Sequence, residues 1–381
     1  MKQISFIITA ILISLNCHAM EKTTKSFDTD VDRRVTRCIK CQLCDEAKLA
    51  KFPFLEDTHH WTVFINMLTP FRCSLYLLPK RHVTSFTELT SKELEEYRIL
   101  LNKWKPVMSK ETTLTAFNTA SEALPSEHFC VECAVRSSSD SGTINTLLQD
   151  AAITRKPRIL FEKLLQISEP SIGEETLSEK LHFSDDPTKL ASYQFFQEKV
   201  HSSHQRHYYD SSSRETHSND YKPATKKTPT ECFFCKDLHG DFEDPKNQVV
   251  FKGVLSSALV SAGSYANGHL LYCPHAHVTT FEELSREQAM DFLELNQKCI
   301  SVLHRKQEEL LESGTLISTQ SFIQEGVGSG ATVPQHLHGQ TLLKGTKPDG
   351  VVATFYDSKK TVRDLAKIRT ILREGFKELR S

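Results

Sequence analysis

Gly268-His269-Leu270-Leu271-Tyr272-Cys273-Pro274-His275-Ala276-His277-Val278-Thr279-Thr280-Phe281-Glu282-Glu283-Leu284 has a near-twin earlier in the chain, Ser74-Leu75-Tyr76-Leu77-Leu78-Pro79-Lys80-Arg81-His82-Val83-Thr84-Ser85-Phe86-Thr87-Glu88-Leu89. Both read as an apolar strand ending in Pro, then a His-Val-Thr turn, then Phe-x-Glu-Leu running into a helix. Agreement of like chemistry over so many positions marks an internal repeat, and a repeat is the first thing that governs a fold. One copy runs from about Cys38 to Cys133 and the other from about Glu231 to Leu343, and each opens with Cys-x-x-Cys: Cys41/Cys44 and Cys232/Cys235.

Working outward, Trp61 to Met67, Val249 to Lys252 and Leu255 to Ser261 have strand composition, rich in β-branched and aromatic residues. Leu316 to Ile323 and His336 to Leu343 read as strands again. Ser91 to Val107 and Ser285 to Glu312 carry helical spacing, with Ser91-x-Glu93 and Ser285-x-Glu287 as start signals. Strands on either side of one long helix, twice over, predict an α+β fold: two tandem domains, each an antiparallel sheet packed with a long helix. The expected boundaries are residues 36–136 for the first and 230–381 for the second, whose tail, Thr361 to Leu379, reads as an amphipathic helix. Between them, 137–229 reads as a linker: Arg158 to Ile167 is helix-like, and His201 to Lys227 is nearly devoid of aliphatic residues.

Residues 1–19 have a basic start, an apolar stretch from Ile4 to Leu15 and a small-residue ending at Ala19, the pattern of a secretory signal. That predicts an exported protein, or a cytoplasmic one if translation starts at Met20. The apolar stretch is too short for a membrane span. Charge is balanced, with 47 Lys+Arg against 48 Asp+Glu, which gives no support for a general nucleic-acid footprint. The chain has 11 cysteines. In an exported protein they would invite a disulfide reading, but a Cys-x-x-Cys pair is either a metal knuckle or a redox pair.

Downstream lies Gln324-Glu325-Gly326-Val327-Gly328-Ser329-Gly330-Ala331-Thr332-Val333-Pro334-Gln335-His336-Leu337-His338-Gly339-Gln340. Gly326, Gly328 and Gly330, with Ser329 among them, can bring backbone N–H groups close to an anion. His336, His338 and Gln340 alternate along a strand and so share one face. Glycines feeding a row of imidazoles suit phosphate chemistry.

With the Cys-x-x-Cys pair and the upstream His, this arrangement resembles the histidine triad (HIT-like) superfamily. The His-x-His-x-Gln ending is similar to its transferase branch, which includes galactose-1-phosphate uridylyltransferase and the dinucleoside polyphosphate phosphorylases; hydrolases of the superfamily carry a third His where Gln340 stands. The resemblance implies a zinc ion (Zn2+) held by Cys232, Cys235, His277 and His336, a nucleophile at His338, and a phosphoryl contact from Gln340. Two thiolates and two imidazoles form a closed tetrahedral set suited to structural zinc, and a neutral imidazole can take a nucleotidyl group. In the first copy Cys41, Cys44, His82 and His128 occupy the ligand positions, whereas Cys130 and Glu132 stand where His338 and Gln340 do. That copy is expected to keep a metal and to have lost phosphate chemistry. Leu337 stands where the uridylyltransferase has Pro, and the active and degenerate copies come in the opposite order.

The expected activity is nucleotidyl transfer or phosphorolysis on a nucleoside di- or polyphosphate or nucleotide sugar, through a nucleotidyl-histidine. The alternatives are a HIT-type nucleotide hydrolase and an inactive zinc-stabilised nucleotide-binding or interaction protein. The resemblance also implies close pairing of two domains or subunits, a homodimer among them.

Overall fold

Among the described residues, ten β-strands hydrogen-bond into one antiparallel sheet, in the order β1-β2-β3-β5-β4-β9-β10-β8-β7-β6, in a computed structural model of the chain. The residues described are 54–65, 73–111, 114–123, 128–137, 157–173, 232–244, 246–261, 267–311, 318–325, 333, 335–344 and 364–379. All of them belong to one unit, 37–381. The expected signal segment, most of the expected linker, Cys41, Cys44, Gly326, Gly328, Ser329 and Gly330 lie outside the described residues.

The first repeat supplies β1 (Glu56–Asp57), β2 (Trp61–Ile65), β3 (Cys73–Pro79), helix α1 (Ser91–Glu111), β4 (Leu114–Ala123) and β5 (Cys130–Ser137), and α2 (Pro157–Ser168) follows. The second supplies α3 (Phe233–His239), β6 (Val249–Lys252), β7 (Ser256–Val260), β8 (His269–Pro274), α4 (Arg286–Arg305), β9 (Ser318–Glu325) and β10 (His338–Lys344), with α5 (Leu365–Glu378) after it. The α+β class and the helix within each half agree with the expectation. The two half-sheets are moreover continuous, because β4 pairs with β9 from Phe117↔Glu325 to Ala123↔Thr319. Among the described residues no helix is long and apolar enough to cross a membrane.

Strand alternation gives the sheet two faces. On one, Leu270, Tyr272, Ile323, Leu337 and Leu343 join Phe292, Leu293 and Val302 of α4 and Leu94, Leu101 and Trp104 of α1 in a single apolar core. On the other, Leu259, Leu271 and Cys273 pack with Cys232, Phe234, Cys235 and Leu238 around α3. The long helices therefore occupy one face, and the Cys-x-x-Cys helix lies on the opposite one.

The helix starts differ in detail from the expectation. For α4 the cap is Ser285 with Gln288 as its reciprocal partner, a capping box. For α1 the Thr90 hydroxyl accepts from the Glu93 N–H while the Glu93 carboxylate accepts from the Thr90 N–H. Thr90 rather than Ser91 thus closes the turn, because the reciprocal bond needs partners three positions apart.

Candidate metal centre and histidine site

Cys232 stands immediately before α3 and Cys235 on its first turn, so the short helix turns both thiols toward the sheet. Both are free thiols. The His277 Nδ1 lies 3.2 Å from the Cys235 sulfur. The His336 Nδ1 lies 3.4 Å from the Cys232 sulfur and 3.6 Å from that of Cys235. All four donor atoms fall within 4.8 Å of one another, the one such His/Cys group found among the described residues. Bonds of about 2.3 Å to sulfur and 2.0–2.1 Å to nitrogen in a tetrahedron put donors about 3.3–3.8 Å apart, so these residues fit a zinc ion. A redox pair would need no imidazoles aimed at it.

The local chemistry points the same way. His336 donates from Nε2 to the Pro274 carbonyl at 3.0 Å, which fixes the tautomer and leaves the Nδ1 lone pair toward the sulfurs. Burial, outweighing that hydrogen bond, holds His336 at about 4, so it is neutral at pH 7. Burial, with the Cys232 thiol beside it, pushes Cys235 up to about 11. A crowded thiol that resists ionisation on its own, as Cys235 does, is a donor that a divalent cation would deprotonate.

Two residues on, the His338 Nδ1 donates to the His336 carbonyl at 2.9 Å. Its lone pair is therefore on Nε2. Burial, again opposed by the backbone bond, lowers its pKa, and its relative exposure is 3%. The Phe234 ring of α3 contacts both imidazoles, with its centroid 4.9 Å from that of His338 and 5.6 Å from that of His336. One helix thus carries two thiols for one histidine and an aromatic wall for the other.

Gln340 completes the row. Its amide nitrogen donates to Gln324 Oε1 on β9, and its amide oxygen lies 3.1 Å from His269 Nε2 on β8. Gln324 sits opposite His338 in the β9–β10 register. His269 is buried and held at about 4 by burial. A neutral His269 donating from Nε2 fixes which way the Gln340 amide points. Between the two site residues, Gly339 faces the core: a Cβ there would come within 1.9 Å of Tyr272 Cζ. The His-Gly-Gln order therefore follows from an aromatic ring crossing behind the strand.

The first repeat reproduces part of this arrangement. The His82 and His128 rings are 5.0 Å apart at 78°, and those of His277 and His336 are 5.1 Å apart at 78°. His128 Nε2 lies 2.8 Å from the Pro79 carbonyl, as His336 Nε2 does from that of Pro274, and burial holds His128 at about 4. Where Gln340 meets His269, Glu132 accepts a hydrogen bond from Ser74. Cys130 and Glu132 are both buried, so this position presents a thiol and a carboxyl where the second repeat has an imidazole and an amide.

Sequence reasoning found the cluster Cys232, Cys235, His277 and His336 and placed His338 and Gln340 beside it. It missed Phe234 and His269. Only strand parity could have signalled His269, which shares its face with Leu271 and Cys273.

Residues 243–339 match the family model of the HIT domain. No curated protein sequence matches the chain. Among solved structures, the chain is similar to an ADP-glucose phosphorylase from Arabidopsis thaliana solved with bound ADP-glucose (11% identity, 92% of this chain and 92% of that one, TM-score 0.47). It is similar to a GalT-like protein from Arabidopsis thaliana (10%, 87% and 92%, TM-score 0.48) and to a uridylyltransferase mutant (13%, 81% and 79%, TM-score 0.44).

Proposed function

We propose that the second repeat is a nucleotidyltransferase or phosphorylase acting on a nucleoside di- or polyphosphate or a nucleotide sugar, with His338 as nucleophile. The observation that carries this reading is the hydrogen bond from His338 Nδ1 to the His336 carbonyl. It commits the lone pair to Nε2 and ties the nucleophile's orientation to a residue of the Cys/His cluster. In the first step Nε2 attacks the α-phosphorus. An N–P bond forms, the P–O bond to the leaving phosphate breaks, and that oxygen keeps the electron pair. In the second, a phosphate oxygen of the acceptor attacks the same phosphorus and the N–P bond breaks, returning the pair to Nε2. Gln340, held by His269 and Gln324, is the side-chain donor beside the reacting oxygens; Gly326, Gly328, Ser329 and Gly330, which lie outside the described residues, would add backbone donors by sequence.

Zinc, when bound by Cys232, Cys235, His277 and His336, supplies a structural cross-link that anchors the chain two residues before the nucleophile. A second zinc would be held in the first repeat by Cys41, Cys44, His82 and His128, which the matched ring geometry of His82 and His128 supports. Glu132 would repel phosphate there, so that repeat serves as scaffold.

The test is incubation of the full chain with ADP-glucose or UDP-glucose labelled at the α-phosphate. Acid-labile, base-stable label on the parent and none on His338→Ala is the expected outcome; equal label on both refutes the reading. Turnover by water alone, with no acceptor, would make the protein a hydrolase. One observation favours a zinc-stabilised protein without turnover, namely that His338 is 3% exposed. Saturable nucleotide binding with no label on His338 would establish that reading.

A further inference from the structure

Two carboxylates of the second repeat, Glu282 and Glu325, pair with a lysine from the first. Lys105, in the middle of α1, has a side chain only 1% exposed, and its ammonium lies 2.9 Å from Glu282 and closer still to Glu325. The Glu325 side chain is 3% exposed, and its Oε1 accepts from the Phe281 N–H at 3.0 Å. The Phe281 ring lies under the same ammonium, 5.7 Å from nitrogen to centroid. Glu325 ends β9, directly after Gln324, and Phe281 opens the turn four residues beyond His277. One cation from the degenerate repeat therefore joins the two segments that flank the histidine row.

We propose that Lys105 is a positioning residue for the histidine site of the second repeat. It fixes the end of β9, where Gln324, opposite His338, holds Gln340, and it fixes the turn that follows His277. The physical basis is the cost of a buried charge without its partner. Burial alone would lower the Lys105 pKa, but Glu325 and then Glu282 overcome it and raise it, so the cation persists across the neutral range. Without the ammonium, Glu325 must take up a proton or move toward water, and either change loosens its hold on Phe281 and on the end of β9. Glu282, 28% exposed, can turn to solvent. A neutral pair, Lys105→Met with Glu325→Gln, keeps an acceptor for the Phe281 N–H and leaves no buried charge.

As a claim about a substrate site this rests on the transferase reading, so the experiment has a readout that does not. In the full-length, zinc-loaded protein, amide hydrogen exchange is measured for peptides covering 278–284 and 321–325, with 365–378 as control, in the parent, Lys105→Met and the double variant. The concentration dependence of labelling by ADP-glucose is measured alongside. Lys105→Met is expected to exchange tenfold or more faster in the first two peptides and unchanged in the third. Its half-saturating ADP-glucose concentration rises at least tenfold, with the maximal labelling rate changed less, and the double variant returns both to within threefold of the parent. Unchanged exchange overturns the proposal, as does an equal rise in 365–378, or a local rise with labelling unaltered. If the parent takes no label, the transferase reading fails by itself, and exchange in the two peptides still decides whether Lys105 holds them. Should Lys105→Met not fold, Lys105→Gln, which removes the charge and keeps a hydrogen-bond donor, replaces it, and parent-like exchange in the same two peptides then overturns the proposal.

Discussion

Replacing Gly339 with alanine tests whether the space behind the histidine row sets the His-Gly-Gln order. The added Cβ would lie 1.9 Å from Tyr272 Cζ and 2.3 Å from both Cε2 and Oη. Carbon atoms in ordinary contact stay about 3.5 Å or more apart, so the ring must retreat by roughly 1.6 Å. It has nowhere to go: Tyr272 is fully buried, with the buried Phe292 ring of α4 4.8 Å behind it, and interiors of this density pass displacement on to their neighbours. Overpacking of this kind costs about 1–3 kcal/mol, and a clash with ring atoms rather than a flexible side-chain end falls near the top, at about 3 kcal/mol. Urea unfolding of the full chain, with the m-value checked for constancy, measures the loss. A loss under about 0.5 kcal/mol, the size of an ordinary surface substitution, would refute the reasoning. So would additivity. Tyr272→Leu removes the clashing atoms, so the double variant is expected to be more stable than the summed single effects by about 1–3 kcal/mol.

The other predictions concern the metal, pH and a helix cap. Cys235→Ser is expected to lower zinc by about one equivalent per chain out of about two, an expectation that follows from two four-ligand sets; elemental analysis finding no fall would show that the ion is held elsewhere. His269 has a folded-state pKa of about 4, below its unfolded value of about 6.5. Above that value both states are neutral, and below it the unfolded chain takes up a proton that the folded one refuses. Stability from this group is thus lost as pH falls from about 6.5 toward 4, by at most about 2 kcal/mol between pH 6.5 and 5. Unfolding of the parent and of His269→Gln at pH 7 and pH 5 should show the steeper loss in the parent; parallel losses would dismiss it. Ser285→Ala removes half of the capping box on α4 and should cost about 1 kcal/mol, read as a lower urea midpoint, with no shift counting against the cap.

What the sequence disclosed was set by chain distance. The repeat, the long helices and the strand carrying His336, His338 and Gln340 rest on short periods, and these are legible residue by residue. The cluster of Cys232, Cys235, His277 and His336 spans more than a hundred residues, and only the family pattern joined its members. Lys105 was invisible because a lysine in mid-helix normally lies in water, and nothing nearby in the chain marks it as buried. His269 was hidden for a related reason: its meeting with Gln340 depends on how β8 pairs with β10, and register is a tertiary fact. Thr90, rather than Ser91, capping α1 could have been read, since Thr90 and Glu93 have capping-box spacing.

The β4–β9 seam gives the first repeat a supporting role that needs no chemistry of its own. β9 has two neighbours. One is β10, where His338 sits opposite Gln324. The other is β4, from the first repeat, paired along seven positions from Phe117↔Glu325 to Ala123↔Thr319. Without β4, the strand beside the histidine row would be a sheet edge with unpaired N–H and C=O groups, open to fraying and to pairing with other chains. Without α1, Glu325 at the end of that strand would lose the ammonium of Lys105. Cys130 and Glu132 can therefore replace an imidazole and an amide at the first repeat's own site while β4 and Lys105 continue to support the second. On this argument, substitutions at Cys130 or Glu132 should leave labelling of His338 within a few-fold of the parent, whereas a proline placed at Thr119, opposite Ile323 in the seam, should abolish it. If the Glu132 variants lost labelling and the Thr119 variant kept it, the first repeat would have to be counted as chemistry rather than as support.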